Sequence, residues 1–228
     1  MSDSPLSDRG PAPGQPDEVA TPELVASLLA DGDDELAAWA ISQALLERPR
    51  AAVFDDVVRR AMELVGERWA SNQWTISQEH LASVALVAAL ARLRPADEPA
   101  MRIGPVAVLA GPEGEQHVAG LACLAQVLEE DGWQVNNLGA NVPADDLVRF
   151  VADRQVDLIA LSVATAPRVP ALLRTVAALR ALPRNPGAAP VAILVGGRGV
   201  SELADRIDGA DFVTTSLSEA ERYARDLT

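Results

Sequence analysis

The sequence has one cysteine, two histidines and too little positive charge to balance its acids. Its 228 residues carry 19 Lys+Arg against 33 Asp+Glu, a formal net charge of −14. Nucleic-acid binders neutralise phosphates with Lys and Arg, so this balance argues against direct nucleic-acid contact. It argues equally against an anionic membrane surface. A lone cysteine, Cys123, excludes an intrachain disulfide and fits a reducing cytoplasm. No apolar run reaches the length of a membrane span, and the N-terminus lacks a basic-plus-apolar signal pattern. Also absent are a nucleophile elbow, a Cys-x-x-Cys pair, a His-Glu-x-x-His metal site and a P-loop. Nothing in this inventory points to an enzyme.

What is present reads as two patterns. Residues 1–20 are rich in Pro, Ser, Asp and Gly without periodicity, the composition of a disordered tail. From 21 to 95 apolar residues recur at helical spacing in four runs. Thr21-Pro22 offers an N-cap with Pro at the first helical position. Asp33 or Asp34 caps a second run carrying Leu36, Trp39, Ala40, Gln43 and Leu46. A third run covers Ala51 to Ala70, and a fourth Ser77 to Arg94, with Ser77-Gln-Glu-His80 as its start. Four amphipathic helices on short connections form a bundle. Pro95-Ala-Asp-Glu-Pro99 marks the linker, taken as residues 96–100.

Beyond it, over residues 101–228, short apolar runs alternate with helical ones. Strands are expected at Ile103–Ala110, Gln134–Asn137, Leu158–Val163, Val191–Val195 and Phe212–Thr214. Helices are expected near 117–131, 143–154, 167–182, 199–206 and 216–226. Five β-α units in this order predict a parallel, flavodoxin- or Rossmann-like sheet with helices on both faces. Acidic pairs such as Asp55-Asp56 and Asp145-Asp146 read as helix-start or solvated-face charges. Core packing is the reading for Cys123, Trp74 and Trp133.

The stretch Glu113-Gly-Glu-Gln-His117-Val-Ala-Gly120 follows the first strand and precedes a helix. His117 therefore lies at a strand's carboxyl end, where open α/β sheets bind ligands. An imidazole there can ligate a metal through one nitrogen while a carboxylate two residues back holds the other. A histidine in a loop is more often a plain solvated side chain. Glu115-x-His117-x-x-Gly120, then Gly132, Leu138-Gly139 and Pro143, resembles the signature of cobalamin-binding domains, whose usual form begins Asp-x-His-x-x-Gly. Glu in place of Asp is the variant of that superfamily's light-sensing regulators.

A second motif, Trp69 followed by Glu79-His80, resembles the helical cap of the same regulators. Ordinary bundle core and an exposed helix start are its bland readings. Both histidines of the chain, His80 and His117, occupy motif positions. Ser162-Val163-Ala164-Thr165 and Gly196-Gly197-Arg198 resemble the segments flanking the cofactor's nucleotide tail, with Ala164 departing from the family's usual Leu or Thr. Arg198 also reads as a surface charge.

The resemblance covers about residues 21 to 228 and implies a four-helix cap above a cobalamin-binding domain. His117 would be the lower axial ligand, oriented by Glu115. Gln116, Gly120, Leu138, Gly139, Val142, Ser162, Val163, Thr165, Gly196, Gly197 and Arg198 would line the cofactor. Trp69, Glu79 and His80 would shelter an adenosyl upper ligand. The resemblance implies a light sensor that changes shape or oligomeric state and signals to a protein partner. No MerR-type helix-turn-helix is recognisable, so a transcriptional role would need that partner. The photocobilin subfamily, which also lacks that domain, leaves biliverdin open as a second chromophore, although no attachment cysteine is apparent. The alternative is a corrinoid carrier of a methyltransferase system, where Asp usually precedes the His.

Overall fold

Thr21 starts the first helix as expected: its hydroxyl accepts the Leu24 N–H at 3.2 Å, with Pro22 just inside. The computed structural model describes residues 20–94, 104–182, 191–203 and 207–228. Apart from Ala20, the expected tail lies outside these residues, as does the linker at 96–100. Helix α1 (Pro22–Ala30) is followed by α2 (Asp34–Leu45), capped by Asp33, whose carboxylate accepts the Leu36 N–H at 3.0 Å.

The buried face of α2 differs from the expected stripe. Ala37, Ala38, Ala40, Ile41 and Ala44 point inward, while Leu36, Trp39 and Leu46 are exposed, Leu46 by 78%. Small side chains let α2 approach its neighbours closely, and the larger apolar residues are left on the outer face. The same holds for the last helix of the bundle, α5 (Ile76–Arg92). It buries Ala82, Ala85, Leu86, Ala89 and Leu90 and leaves Ile76, Leu81, Val84 and Val87 exposed.

The third helical run is one rod with a local defect. Helix α3 (Arg50–Val53) continues through a π-helical segment (Phe54–Arg59) into α4 (Arg60–Ala70). Helix α5 starts one residue earlier than expected, because Thr75 rather than Ser77 caps it. The Thr75 hydroxyl accepts the Gln78 N–H, and the Gln78 side chain accepts the Thr75 N–H. This reciprocal box satisfies two otherwise unpaired backbone donors.

The second half alternates strand and helix: β1 (Val106–Ala110), α6 (Ala119–Glu130), β2 (Gln134–Asn137), α7 (Ala144–Ala152), β3 (Leu158–Ser162), α8 (Val169–Arg180), β4 (Ala192–Gly196), β5 (Phe212–Thr214) and α9 (Leu217–Arg225). All pairings are parallel and the order is β2-β1-β3-β4-β5. The connection direction reverses between β1 and β3, so the loops after those strands part there and leave a crevice for ligands. One apolar layer packs α7 and α8 on the sheet, and another packs α6 and α9 on the opposite face. The helix expected near 199–206 is a correction: after β4 only a single 3₁₀ turn forms, Arg198–Val200, and residues 204–206 lie outside those described.

The two halves share a core. Cys123 and Val127 of α6 are buried with the helices of the bundle. Trp133 is fully enclosed beneath the sheet, and Trp74 packs against the bundle under the Arg68 guanidinium.

Candidate functional site

Strand β1 ends at Ala110, and the chain turns through Gly111-Pro112 into the loop that carries Glu115 and His117. That loop is braced from the β2 side. Gly111 donates to the Gly139 carbonyl at 2.8 Å, and Val142 donates to the Gly111 carbonyl at 2.9 Å. Gly139 and Asn141 both hold positive φ, at 74° and 57°, conformations that favour Gly and tolerate Asn. Asn141 also accepts the Gly114 N–H at 2.7 Å. The Leu138–Pro143 turn therefore shapes the loop, and Asn141 joins the expected Leu138, Gly139 and Val142 in doing so.

Glu115 is buried, 1% exposed, yet fully partnered. One carboxylate oxygen accepts the backbone N–H groups of Gln116 and His117, both at 2.9 Å, and faces His117 Nδ1 at 2.5 Å. The other accepts the Ala164 N–H from the loop after β3 at 2.8 Å. Burial pushes this carboxyl up. The His117 ring, the backbone donors of His117 and Ala164 and the imidazole charge outweigh it and hold the carboxyl down at about 2. Glu115 thus joins the two loops at the crevice.

The His117 side chain is 57% exposed. Its pKa is raised, chiefly by the hydrogen bond to Glu115, against partial burial. The charges of Glu115 and Glu79 add to the rise, while that of Arg198 opposes it. With Nδ1 committed to Glu115, Nε2 is the nitrogen available to a metal, which would compete with a proton for it.

The Glu79 effect brings the helical half to the site. Glu79 lies in the first turn of α5, where it contacts His80 Nδ1 at 2.6 Å and accepts the Ser83 hydroxyl at 3.2 Å. His80 is 70% exposed. Trp69 lies in the last turn of α4, one connection earlier, with its indole exposed and in no ring contact among the described residues. Glu79, Glu115 and Arg198 are therefore each within electrostatic reach of His117, whereas Trp69 and His80 make no hydrogen bond to the His117 loop among the described residues.

The glycines divide by role. Gly120 is exposed, and a Cβ there would lie in ordinary contact distance of the Ser162 hydroxyl, 3.5 Å away. A Cβ on Gly197 would sit 2.3 Å from the Val163 carbonyl oxygen, so the neighbouring loop by itself requires glycine at this expected site position. Gly196 would meet the Thr214 carbonyl at 3.3 Å. Val163 is buried and donates to the Gly196 carbonyl at 3.0 Å, while Thr165 stays half-buried at the loop's edge.

Among the described residues, no three His, Cys, Asp or Glu side chains cluster as a metal cage. No helix among them is long and apolar enough to cross a membrane.

A family profile described as a B12 binding domain matches residues 105–224, and a second profile of the same description matches residues 23–94. The HTH-type transcriptional repressor CarA of Myxococcus xanthus is 38% identical over 129 residues, 56% of this chain and 42% of the repressor. CarH of the same organism is 36% identical over 64% of this chain and 48% of its own length. The chain thus spans about half the length of these relatives. Dimethylamine corrinoid protein 1 of Methanosarcina acetivorans is 25% identical over 90% of this chain and 95% of its own. The monomethylamine corrinoid protein of Methanosarcina barkeri shares the fold, with a TM-score of 0.73 at 19% identity, covering 92% of this chain and 99% of that one.

Proposed function

The chain belongs to the B12-binding-domain family, and on that premise we propose that it is a cobalamin-dependent light sensor with a helical cap. The observation that carries the reading is the Glu115–His117 pair: an exposed imidazole steered by a buried, fully partnered carboxylate. The donor set fits a corrinoid: Nδ1 of His117 is held by Glu115, the exposed ring leaves Nε2 for a metal, and the bare Gly120 and the Ser162 hydroxyl lie beside it on the same edge of the sheet.

In this reading His117 would hold the cobalt and Glu115 would keep its ring in place. Gly120, Ser162, Val163, Thr165, Gly196, Gly197 and Arg198 would hold the cofactor's nucleotide tail, with Gln116, Leu138, Gly139 and Val142 beside them. Trp69, Glu79 and His80 would shelter its adenosyl group. Adenosylcobalamin supplies a cobalt–carbon bond that visible light breaks. Trp69, Glu79 and His80 would then lose a group they contact, and a cap biased by those contacts would shift its position and the assembly it supports. The chain acts as a sensor for a protein partner and not as a catalyst. Covalent biliverdin attachment gains no support, since Cys123 is buried among apolar side chains.

The second reading is a corrinoid carrier for a methyltransferase, favoured by the near full-length match to the dimethylamine corrinoid protein. One experiment separates them. Protein reconstituted in the dark with adenosylcobalamin is followed by absorption and size-exclusion elution before and after green light. A sensor shows a spectrum that His117→Ala alters, photolysis, and a changed elution volume. Stable binding with unchanged elution, or preference for methylcobalamin with a methyltransferase partner, assigns the carrier role.

A further inference from the structure

The loop that carries Glu115 is held in one particular turn. The Pro112 carbonyl accepts the Glu115 N–H at 2.9 Å and closes the chain over residues 112–115. Gly114, the third residue of this turn, has a φ of 81°. A type II turn demands that conformation, and glycine supplies it without steric cost. Type I and type II turns differ mainly in which way the central peptide faces, here the one between Glu113 and Gly114. Rotating that peptide would carry Gly114 to negative φ and turn its N–H to the other side.

Asn141, from the connection after β2, opposes that rotation. Its side-chain oxygen accepts the Gly114 N–H at 2.7 Å, and its own φ is 57°. A parallel bridge between Pro112 and Val142 fixes the distance across which Asn141 reaches. From the connection after β3, the Arg168 guanidinium stands 2.8 Å from where a Gly114 Cβ would be and so covers the turn. Glu115 comes next in the chain. Its buried carboxylate is committed to the N–H groups of Gln116, His117 and Ala164 and to His117 Nδ1. A carboxylate with so many fixed partners tolerates little change in where its Cα sits.

We propose that Asn141 is a positioning residue for the lower cobalt ligand. Its oxygen fixes the peptide between Glu113 and Gly114, that peptide aims Glu115, and Glu115 aims His117. Asn141 acts through the backbone and not as a ligand. Two demands fall on this one position: tolerance of positive φ, and a side chain ending in an acceptor. Asn and Asp meet both, glycine meets only the first, and alanine meets neither. The effect on Glu115 concerns the chain alone, whereas the effect on cobalt rests on the cobalamin reading above.

The test uses the full, isotope-labelled chain, first without ligand, and follows the amide NMR signals of His117 and Ala164, two donors to the Glu115 carboxylate. Asn141→Gly keeps the positive φ and removes the acceptor, and both signals should move upfield as their hydrogen bonds lengthen. Asn141→Asp restores an acceptor and should return them to their native positions. Asn137→Ala removes the acceptor of the Gly139 N–H, at 3.0 Å in the same connection, and should leave both signals in place. If Asn141→Gly fails to fold, Asn141→Ser, whose hydroxyl is too short to reach Gly114, carries the same expectation. Adenosylcobalamin is then titrated in the dark. Asn141→Gly should bind about 10-fold more weakly, with a spectrum shifted towards that of His117→Ala, and Asn141→Asp should recover both. Unmoved His117 and Ala164 signals in Asn141→Gly, or equal movement in Asn137→Ala, overturn the role of Asn141. Native protein that binds no cobalamin overturns the ligand reading instead, and the amide signals then decide the role of Asn141 by themselves.

Discussion

At the scale of single residues, Glu115 is where fold and site meet. Its carboxylate satisfies the N–H groups of Gln116, His117 and Ala164 besides steering the imidazole. Glu115→Ala leaves buried donors without partners, at a cost of about 2–4 kcal/mol in stability. It should also weaken cobalamin affinity about 10- to 100-fold, the usual penalty for losing the group behind a histidine ligand. Urea unfolding of the ligand-free protein and a titration followed by absorbance check the two effects separately. Glu115→Asp, with a shorter reach, should recover part of each. Cys123 gives a second test. Burial first, and the Asp55 charge second, push its thiol up to about 12, against a lowering by Arg50. Folded protein should therefore resist iodoacetamide at pH 8 and react only in denaturant. The folded state holds this proton more tightly than the unfolded chain, whose thiol titrates near 9. Stability should fall as pH rises from about 9 towards 12, with no contribution from this group below pH 9. Rapid labelling of native protein would show the α6–bundle contact to be open.

At the scale of elements, what the sequence revealed depended on how far a period or motif specifies geometry. The strands Gln134–Asn137 and Phe212–Thr214 have the expected bounds, because a positive-φ glycine shortly before each, Gly132 and Gly209, leaves few alternatives for where it starts. The inner face of α2 was not legible. Counting large apolar residues selects Leu36, Trp39 and Leu46, whereas close helix contact selects the alanines. The π segment was hidden too, since a 3.6-residue period assumes regular helix throughout. The Glu115–His117 pair could be read from two residues of sequence, but the Ala164 N–H on Glu115 could not, as it comes from a loop 49 positions away. Nor was the fold's own demand for glycine at 197 legible. Its φ of 97° and the Val163 carbonyl at 2.3 Å from a Cβ fix its role in the fold. Gly197→Ala should cost about 3 kcal/mol or more, read as a lowered melting temperature without ligand. Gly120→Ala, with only Ser162 nearby at 3.5 Å, should leave the melting temperature nearly unchanged.

At the scale of the molecule, the sequence reads as two domains on a linker, but the two halves do not bury their cores independently. Cys123 and Val127 belong to the second half by sequence and to the bundle by packing. Asp55 belongs to the first half and caps a helix of the second. Neither cross-connection has a periodic signature, so neither was legible. A bundle that completes its core with a neighbour's helix loses that core when the neighbour leaves. The intact chain should therefore unfold in one cooperative step. Trp74, packed in the bundle, and Trp133, enclosed against the sheet, provide one probe for each half. Single-tryptophan variants retaining one or the other, with Trp39 and Trp69 replaced, should give coincident urea midpoints. Val127→Ala deletes buried methyl groups at the shared surface and should lower both midpoints together, by about 1–2 kcal/mol. Two separated transitions, or a Val127→Ala effect confined to the Trp74 probe, would mean that the halves are coupled only through the cap's position and not through a common core.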